Sequence, residues 1–200
     1  MQKVDPNVSP RVRRRPLTLP KIQFDFNSDS VYLYSMGLLE SDVQERHHRY
    51  MNEALKEATR AAAEGEVPVG CVIVHEDRIV GRGHNQRETL QDATAHAEMI
   101  AISAACETLG TWRLEDCTMY VTLEPCPMCA GAIVLSRVRQ LVFGARDPKA
   151  GACGTLFDIV RDEKLNHIVD VVSGVMAQDA QILLKEFFTN LREKDQTAEG

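Results

Sequence analysis

The sequence predicts an α/β fold: a three-layer α/β/α sandwich on a single mixed sheet of about five strands, with helices on both faces. Three observations carry this expectation. Short apolar runs alternate along the chain with segments of helical periodicity. The chain has 200 residues, 44% of them hydrophobic, which is enough for one domain with its own core. No run of about 18 apolar residues occurs, so a membrane-spanning helix is excluded and no membrane partner is expected.

Residues 1–35 stand apart. The stretch "SPRVRRRPLTLPK" is rich in Pro and Arg with little periodicity, which predicts a disordered N-terminal extension. These residues hold six basic and three acidic side chains, against 17 basic and 26 acidic in the remainder. Asp5, Asp25 and Asp29 argue against an organellar transit peptide, and no apolar segment follows the basic residues as an export signal requires. The composition break makes Met36 a candidate start and residues 36–200 a single domain.

From Asp42 to about Ala63, Tyr50, Met51, Ala54, Leu55, Ala58 and Ala62 recur at three- and four-residue steps, the spacing of a helix that Gly65 stops. "VGCVIVHEDRIVGRG" reads as two strands joined by a tight turn at His75-Glu76-Asp77. Residues 85–94 form a polar loop, and a helix follows from about Ala95 to Leu109, ended by Gly110. "TMYVTL" is a short buried strand. Pro125 and Pro127 open a helix to about Ser136, since proline suits a first helical turn. "RQLVFG" is the next strand, and "ARDPKAGACG" a long Gly-containing loop better suited to function than to packing. "HIVDVVSG" supplies the last strand, and a helix from Asp179 to Arg192 closes the chain.

Six cysteines are present, Cys71, Cys106, Cys117, Cys126, Cys129 and Cys153. Without an export signal they read as thiols in a reducing, cytoplasmic setting. Four of them suit small buried hydrophobes. Cys126 and Cys129 are set apart by their spacing. Three residues apart at a helix start, they share one side, where the helix terminus favours thiolates. Taken alone, the pair fits either a metal site or a redox motif.

His96 supplies a third donor: a lone histidine is more often a capping or core residue, but its pairing with Glu98 and with Pro-Cys-x-x-Cys changes that balance. One imidazole and two thiolates suit a zinc ion, and three protein ligands leave the fourth position open, as catalytic zinc sites do. A zinc there lowers the pKa of its bound water toward neutrality. Glu98, two residues beyond His96, is placed to reach that water and the substrate, and to carry a proton to a leaving nitrogen. Its alternative role, stabilising the first helical turn, is worth about 0.3–1 kcal/mol. The combination His-x-Glu with Pro-Cys-x-x-Cys is the known zinc-deaminase signature, familiar from the tRNA deaminase from which adenine base editors derive.

Over roughly residues 46–192 the chain resembles the bacterial tRNA-specific adenosine deaminases. "EVPVGCVIV", "DATAHAEMIAI", "TMYVTLEPCPMCAGAI", "VFGARDPKAGACGTLFDI" and "LLKEFFTNLR" stand in that family's order and spacing. The His-Ala-Glu and Pro-Cys-x-x-Cys elements are shared with cytosine, cytidine, guanine and deoxycytidylate deaminases. "FGARDPKAGACG" resembles the tRNA-specific branch. The resemblance implies a cytidine-deaminase-like fold with His96, Cys126 and Cys129 holding one Zn2+ per subunit and Glu98 as the catalytic proton shuttle. It implies that Asn85 hydrogen-bonds the target base, that Arg146, Asp147 and Lys149 grip the RNA, and that Phe187 and Phe188 lie near an anticodon loop. The implied reaction is hydrolytic deamination of adenosine to inosine at the wobble position of a tRNA anticodon. The implied assembly is a homodimer with the 127–136 helix in its interface.

Two departures stand out. Asp92-Ala93-Thr94 occupies the place of the family's Asp-Pro-Thr. Phe188-Thr189-Asn190-Leu191-Arg192 replaces its Phe-Phe-Arg. The net charge of −6 excludes a broadly cationic surface, so any RNA contact is local, with residues 1–35 a candidate basic arm. The nearest alternative is a free nucleobase deaminase acting on guanine or cytosine. A second is a non-catalytic zinc-binding subunit, against which Glu98 argues.

Overall fold

Alternation along each strand decides how the sheet is covered. In β1 (Gly70–His75), β3 (Thr118–Leu123) and β4 (Gln140–Ala145), successive side chains point to opposite faces. Cys71, Ile73, Met119, Val121, Leu141 and Phe143 join one core, and Val72, Val74, Tyr120 and Val142 another. Both sets are buried, so the sheet carries helices on both faces, as the sequence predicts. The structure, a computed structural model, describes the backbone of residues 29–198 and the side chains of residues 41–194.

Helix α1 (Asp29–Ala63) lays Tyr50, Met51 and Ala54 on one face of the sheet, joined there by α5 (Ala177–Ala198) through Ala180. On the other face lie α3 (Ala97–Leu109), through Ala97, Ala101 and Ala105, and α4 (Pro127–Leu135), through Ala130, Ile133 and Val134. Among the described residues the sheet has five strands in the order β2-β1-β3-β4-β5, with β2 spanning Arg78–His84 and β5 Asp170–Ser173. β1 runs antiparallel to β2 and β3, while β3, β4 and β5 are mutually parallel. A parallel pair needs a crossover. α4 makes the first, and the loop after β4 with a 3-10 turn at Ile159–Arg161 makes the second.

The β1–β2 hairpin turns on Glu76 and Asp77, with φ of 46° and 59°, the left-handed pair of a type I′ turn that matches strand twist. β2 then receives α3 at close quarters. A Cβ on Gly81 would lie 2.3 Å from the Ala101 carbonyl oxygen, and one on Gly83 2.3 Å from that of Ala97. Glycines facing alanines let the α3 backbone rest on the strand, which sets the depth of the helix start.

The sequence expectation differs from the structure in four places. α1 begins at Asp29 rather than Asp42. Residues 1–28 of the expected disordered extension lie outside the described residues, whereas residues 29–35 are helical backbone. The last preceding proline is Pro20, so nothing there blocks a helix. The compact unit that holds the sheet begins at Glu40. The polar loop 85–94 contains a one-turn helix, α2 (Arg87–Leu90), too short to show periodicity. α5 starts at Ala177, soon after Gly174 at φ +89° turns the chain, and runs past Arg192. His96 caps α3 instead of sitting in its first turn.

Candidate active site

That last difference has a purpose in the geometry. His96 holds an extended conformation, φ −80° and ψ 154°, just before α3 turns helical. Cys126 does the same before α4, φ −72° and ψ 172°, with Pro127 starting the helix. Two helix N-termini thus meet beyond the carboxyl end of β3, the usual place for a site in an α/β sheet. His96 Nδ1 lies 3.7 Å from Cys126 Sγ and 3.5 Å from Cys129 Sγ. All three donor atoms fall within 4.8 Å of one another. Tetrahedral zinc with about 2.3 Å bonds to sulfur and 2.0–2.1 Å to nitrogen separates such donors by about 3.6 Å, so this set fits the ion. The three are the group among the described residues able to hold a metal. The hydrogen bond from the Cys129 thiol, together with His96, pulls Cys126 down to about 4, a thiolate ready for a cation.

Glu98 is 3% exposed. Burial raises its carboxyl above the ordinary range, against opposing pulls from its own backbone amide and from His96. It lines a cleft of about 230 Å3 with His96, Cys126, Asn85 and Asp147, and with apolar walls from Val67, Val69 and Leu123. Asn85 directly follows β2 and is buried. Its Nδ2 donates to Glu66 Oε2 at 3.0 Å, and the other Glu66 oxygen accepts the Thr89 backbone N–H at 2.7 Å. The amide plane of Asn85 is therefore held by a fully buried carboxylate.

The structure separates the residues of the 146–149 segment. Asp147 reaches the cleft, while Arg146 and Lys149 are exposed and do not line it. Asp147 Oδ1 accepts the Lys149 backbone N–H at 2.8 Å. Phe187 and Phe188 pack edge to face at 5.4 Å, away from the cleft, with Phe187 facing a second hollow beside Ala62 and Gly65. In place of the missing proline, Asp92 accepts both the backbone N–H and the hydroxyl of Thr94, at 2.7 and 2.8 Å, a turn that shapes the approach to His96. None of the six cysteines is paired in a disulfide, and Cys71, Cys117 and Cys153 are buried as small apolar groups.

Sequence reasoning missed Glu66, Arg87 and Glu124, of which Arg87 and Glu124 line the cleft. Glu66 and Glu124 are 1% and 2% exposed, an unusual setting for carboxylates. The one available signal was their position, each beside an apolar strand and next to a proline-containing motif.

The profile of the cytidine and deoxycytidylate deaminase zinc-binding region matches residues 44–145. A tRNA-specific adenosine deaminase of Bacillus subtilis (strain 168) is 56% identical over 149 residues, covering 74% of this chain and 92% of the relative. The chain belongs to the tRNA-specific adenosine deaminase family. A structure from a study of A-to-I editing by tRNA deaminases at the wobble position is similar to this deaminase at a TM-score of 0.66 and 43% identity. It covers 68% of this chain and 99% of its own. A guanine deaminase from Nitrosomonas europaea shares the fold more distantly, at 25% identity and a TM-score of 0.60 over 68% of this chain and 81% of its own. The family is zinc-dependent, and the His/Cys/Cys group is where this deaminase can bind the ion.

Proposed function

We propose that this protein hydrolyses adenosine to inosine at the wobble position of a tRNA anticodon, releasing ammonia. One observation carries the reading. His96 and Cys126 of a zinc-fitting His/Cys/Cys set line one small cleft with a buried glutamate, in a chain 56% identical to a relative named for tRNA adenosine deamination. His96 Nδ1 and the sulfurs of Cys126 and Cys129 would hold a zinc ion, one per subunit. When bound, zinc supplies a Lewis acid that brings water near neutrality within reach of deprotonation.

The rest is done by side chains. Glu98, raised by burial, takes a proton from water and returns it to the departing exocyclic nitrogen. Asn85, fixed by Glu66, hydrogen-bonds the base edge. Val67, Val69 and Leu123 line the cleft and offer the ring apolar contact. Asp147 sits at the cleft mouth, and Arg146 and Lys149 lie outside it for phosphate contacts. An anticodon base is unpaired in its loop, so splaying it costs little. The working form is a homodimer with α4 in its interface, acting in the cytoplasm.

Inosine formation on an anticodon stem-loop tests the reading, with free guanine and cytosine offered in competition. Glu98→Ala should lose about 10²–10⁴ in turnover while keeping zinc. Ammonia from a free base, with no inosine in RNA, would replace the tRNA reading with nucleobase deamination.

A further inference from the structure

We infer that Glu124 is a positioning residue that pins the rim of the cleft to its metal-binding floor. The inference rests on the reading of the 146–149 segment as the RNA-facing rim. Glu124 follows β3, one residue before Pro125 and two before Cys126. It is 2% exposed, and no cation pairs with it among the described residues. Its carboxylate is met instead by the loop after β4. Oε1 accepts the backbone N–H groups of Cys153 and Thr155, both at 3.0 Å. Oε2 accepts the Asp147 N–H at 3.2 Å and the Thr155 hydroxyl. A buried carboxylate satisfied by N–H and O–H donors alone is a rigid hub, because three of its four donors are backbone N–H groups.

The loop closes around this hub from outside. A Cβ on Gly151 would stand 2.6 Å from the Glu124 carboxyl carbon, from its Oε2 and from the Asp147 carbonyl oxygen, so only glycine lets the chain pass. The Ala152 N–H donates to the Pro125 carbonyl at 2.9 Å, a second tie between loop and floor. Asp147 then caps the Lys149 N–H through its own side chain. The position of the rim thus passes from Glu124 to Asp147 to Lys149. Glu98 and the donor set do not hydrogen-bond to Glu124, so displacing the hub moves RNA seating rather than proton transfer.

Glu124→Gln keeps the shape but turns one acceptor into a donor. That donor faces either the Asp147 N–H or the Cys153 and Thr155 N–H groups, which cannot reverse. In the intact protein we expect KM for the anticodon stem-loop to rise tenfold or more. We expect kcat to stay within threefold and zinc to remain at one per chain. The amides of Asp147, Cys153 and Thr155 should exchange hydrogen at least tenfold faster. Wild-type exchange rates overturn the inference, as does a fall in kcat at unchanged KM or a loss of zinc. Thr155→Val, which removes only the hydroxyl contact, should move KM and exchange the same way by about threefold. Should Glu124→Gln fail to fold, wild-type values for Thr155→Val overturn the inference. If the wild-type protein leaves the stem-loop unmodified, the functional reading fails, and hydrogen exchange with zinc content still decides the clamp.

Discussion

At Glu66, one buried carboxylate serves two donors, the Asn85 amide and the Thr89 N–H. Glu66→Gln keeps an oxygen for one of them and sets an NH2 group against the other. An unmet buried donor costs about 1–3 kcal/mol. Urea unfolding should register that loss, and KM for the stem-loop should rise because Asn85 is free to turn. Wild-type values of both would show that Asn85 holds its pose without Glu66. His47 is a second buried titratable group, with Nδ1 3.1 Å from the Tyr120 hydroxyl. Burial, with smaller contributions from Arg46 and His48, lowers its pKa from the ordinary 6.5. The unfolded chain therefore binds a proton that the folded chain refuses. The sign follows: His47 costs no stability above the ordinary value and costs progressively more as pH falls below about 6.5 toward the lowered one. The melting temperature should drop as pH falls below about 6.5, and His47→Gln should shallow that drop. An identical pH profile in the variant would remove His47 from the account.

The element that matters most to the chemistry is the start of α3. His96 caps it and Glu98 stands on its first turn, and the closeness of α3 to β2 is set by Gly81 and Gly83 against Ala101 and Ala97. Gly83→Ala puts a methyl 2.3 Å from a backbone oxygen that has no flexible tip to yield. Such overpacking costs about 1–3 kcal/mol. Because the strain is relieved by lifting the helix start, zinc content should fall along with stability. Full zinc occupancy in a destabilised Gly83→Ala protein would mean that β2 moves instead. Most elements were legible beforehand, since long periodic runs and proline or glycine punctuation are local signals. α2 was not, because one turn has no period to read. The start of α1 was missed because the basic, proline-rich stretch ahead of it coloured the reading of residues 29–41.

For the whole molecule, the homodimer is the prediction that weighs most. Leu135 at the end of α4 is 68% exposed, and Leu156 and Phe157 after the β4 loop are 52% and 59% exposed. Large apolar side chains so open suit a covered face. Light scattering should return twice the 22.3 kDa chain mass, and Phe157→Glu should shift it toward one. A wild-type chain that stays monomeric at micromolar concentration would count against the assembly.

Cysteine and histidine spacing, strand alternation and helix punctuation are properties of neighbours along the chain. The His/Cys/Cys group able to hold a metal, the sandwich and the family resemblance were therefore all legible from the sequence, as was the His-x-Glu spacing on which the role proposed for Glu98 rests. Glu66 and Glu124 were not, because nothing local marks a carboxylate as buried. Each acquires its partners from residues 19 to 31 positions away. Only the packed sheet brings those donors within reach. It also set Asp147 at the cleft and left Arg146 and Lys149 outside it, a distinction that three adjacent charges in one loop could not express on their own.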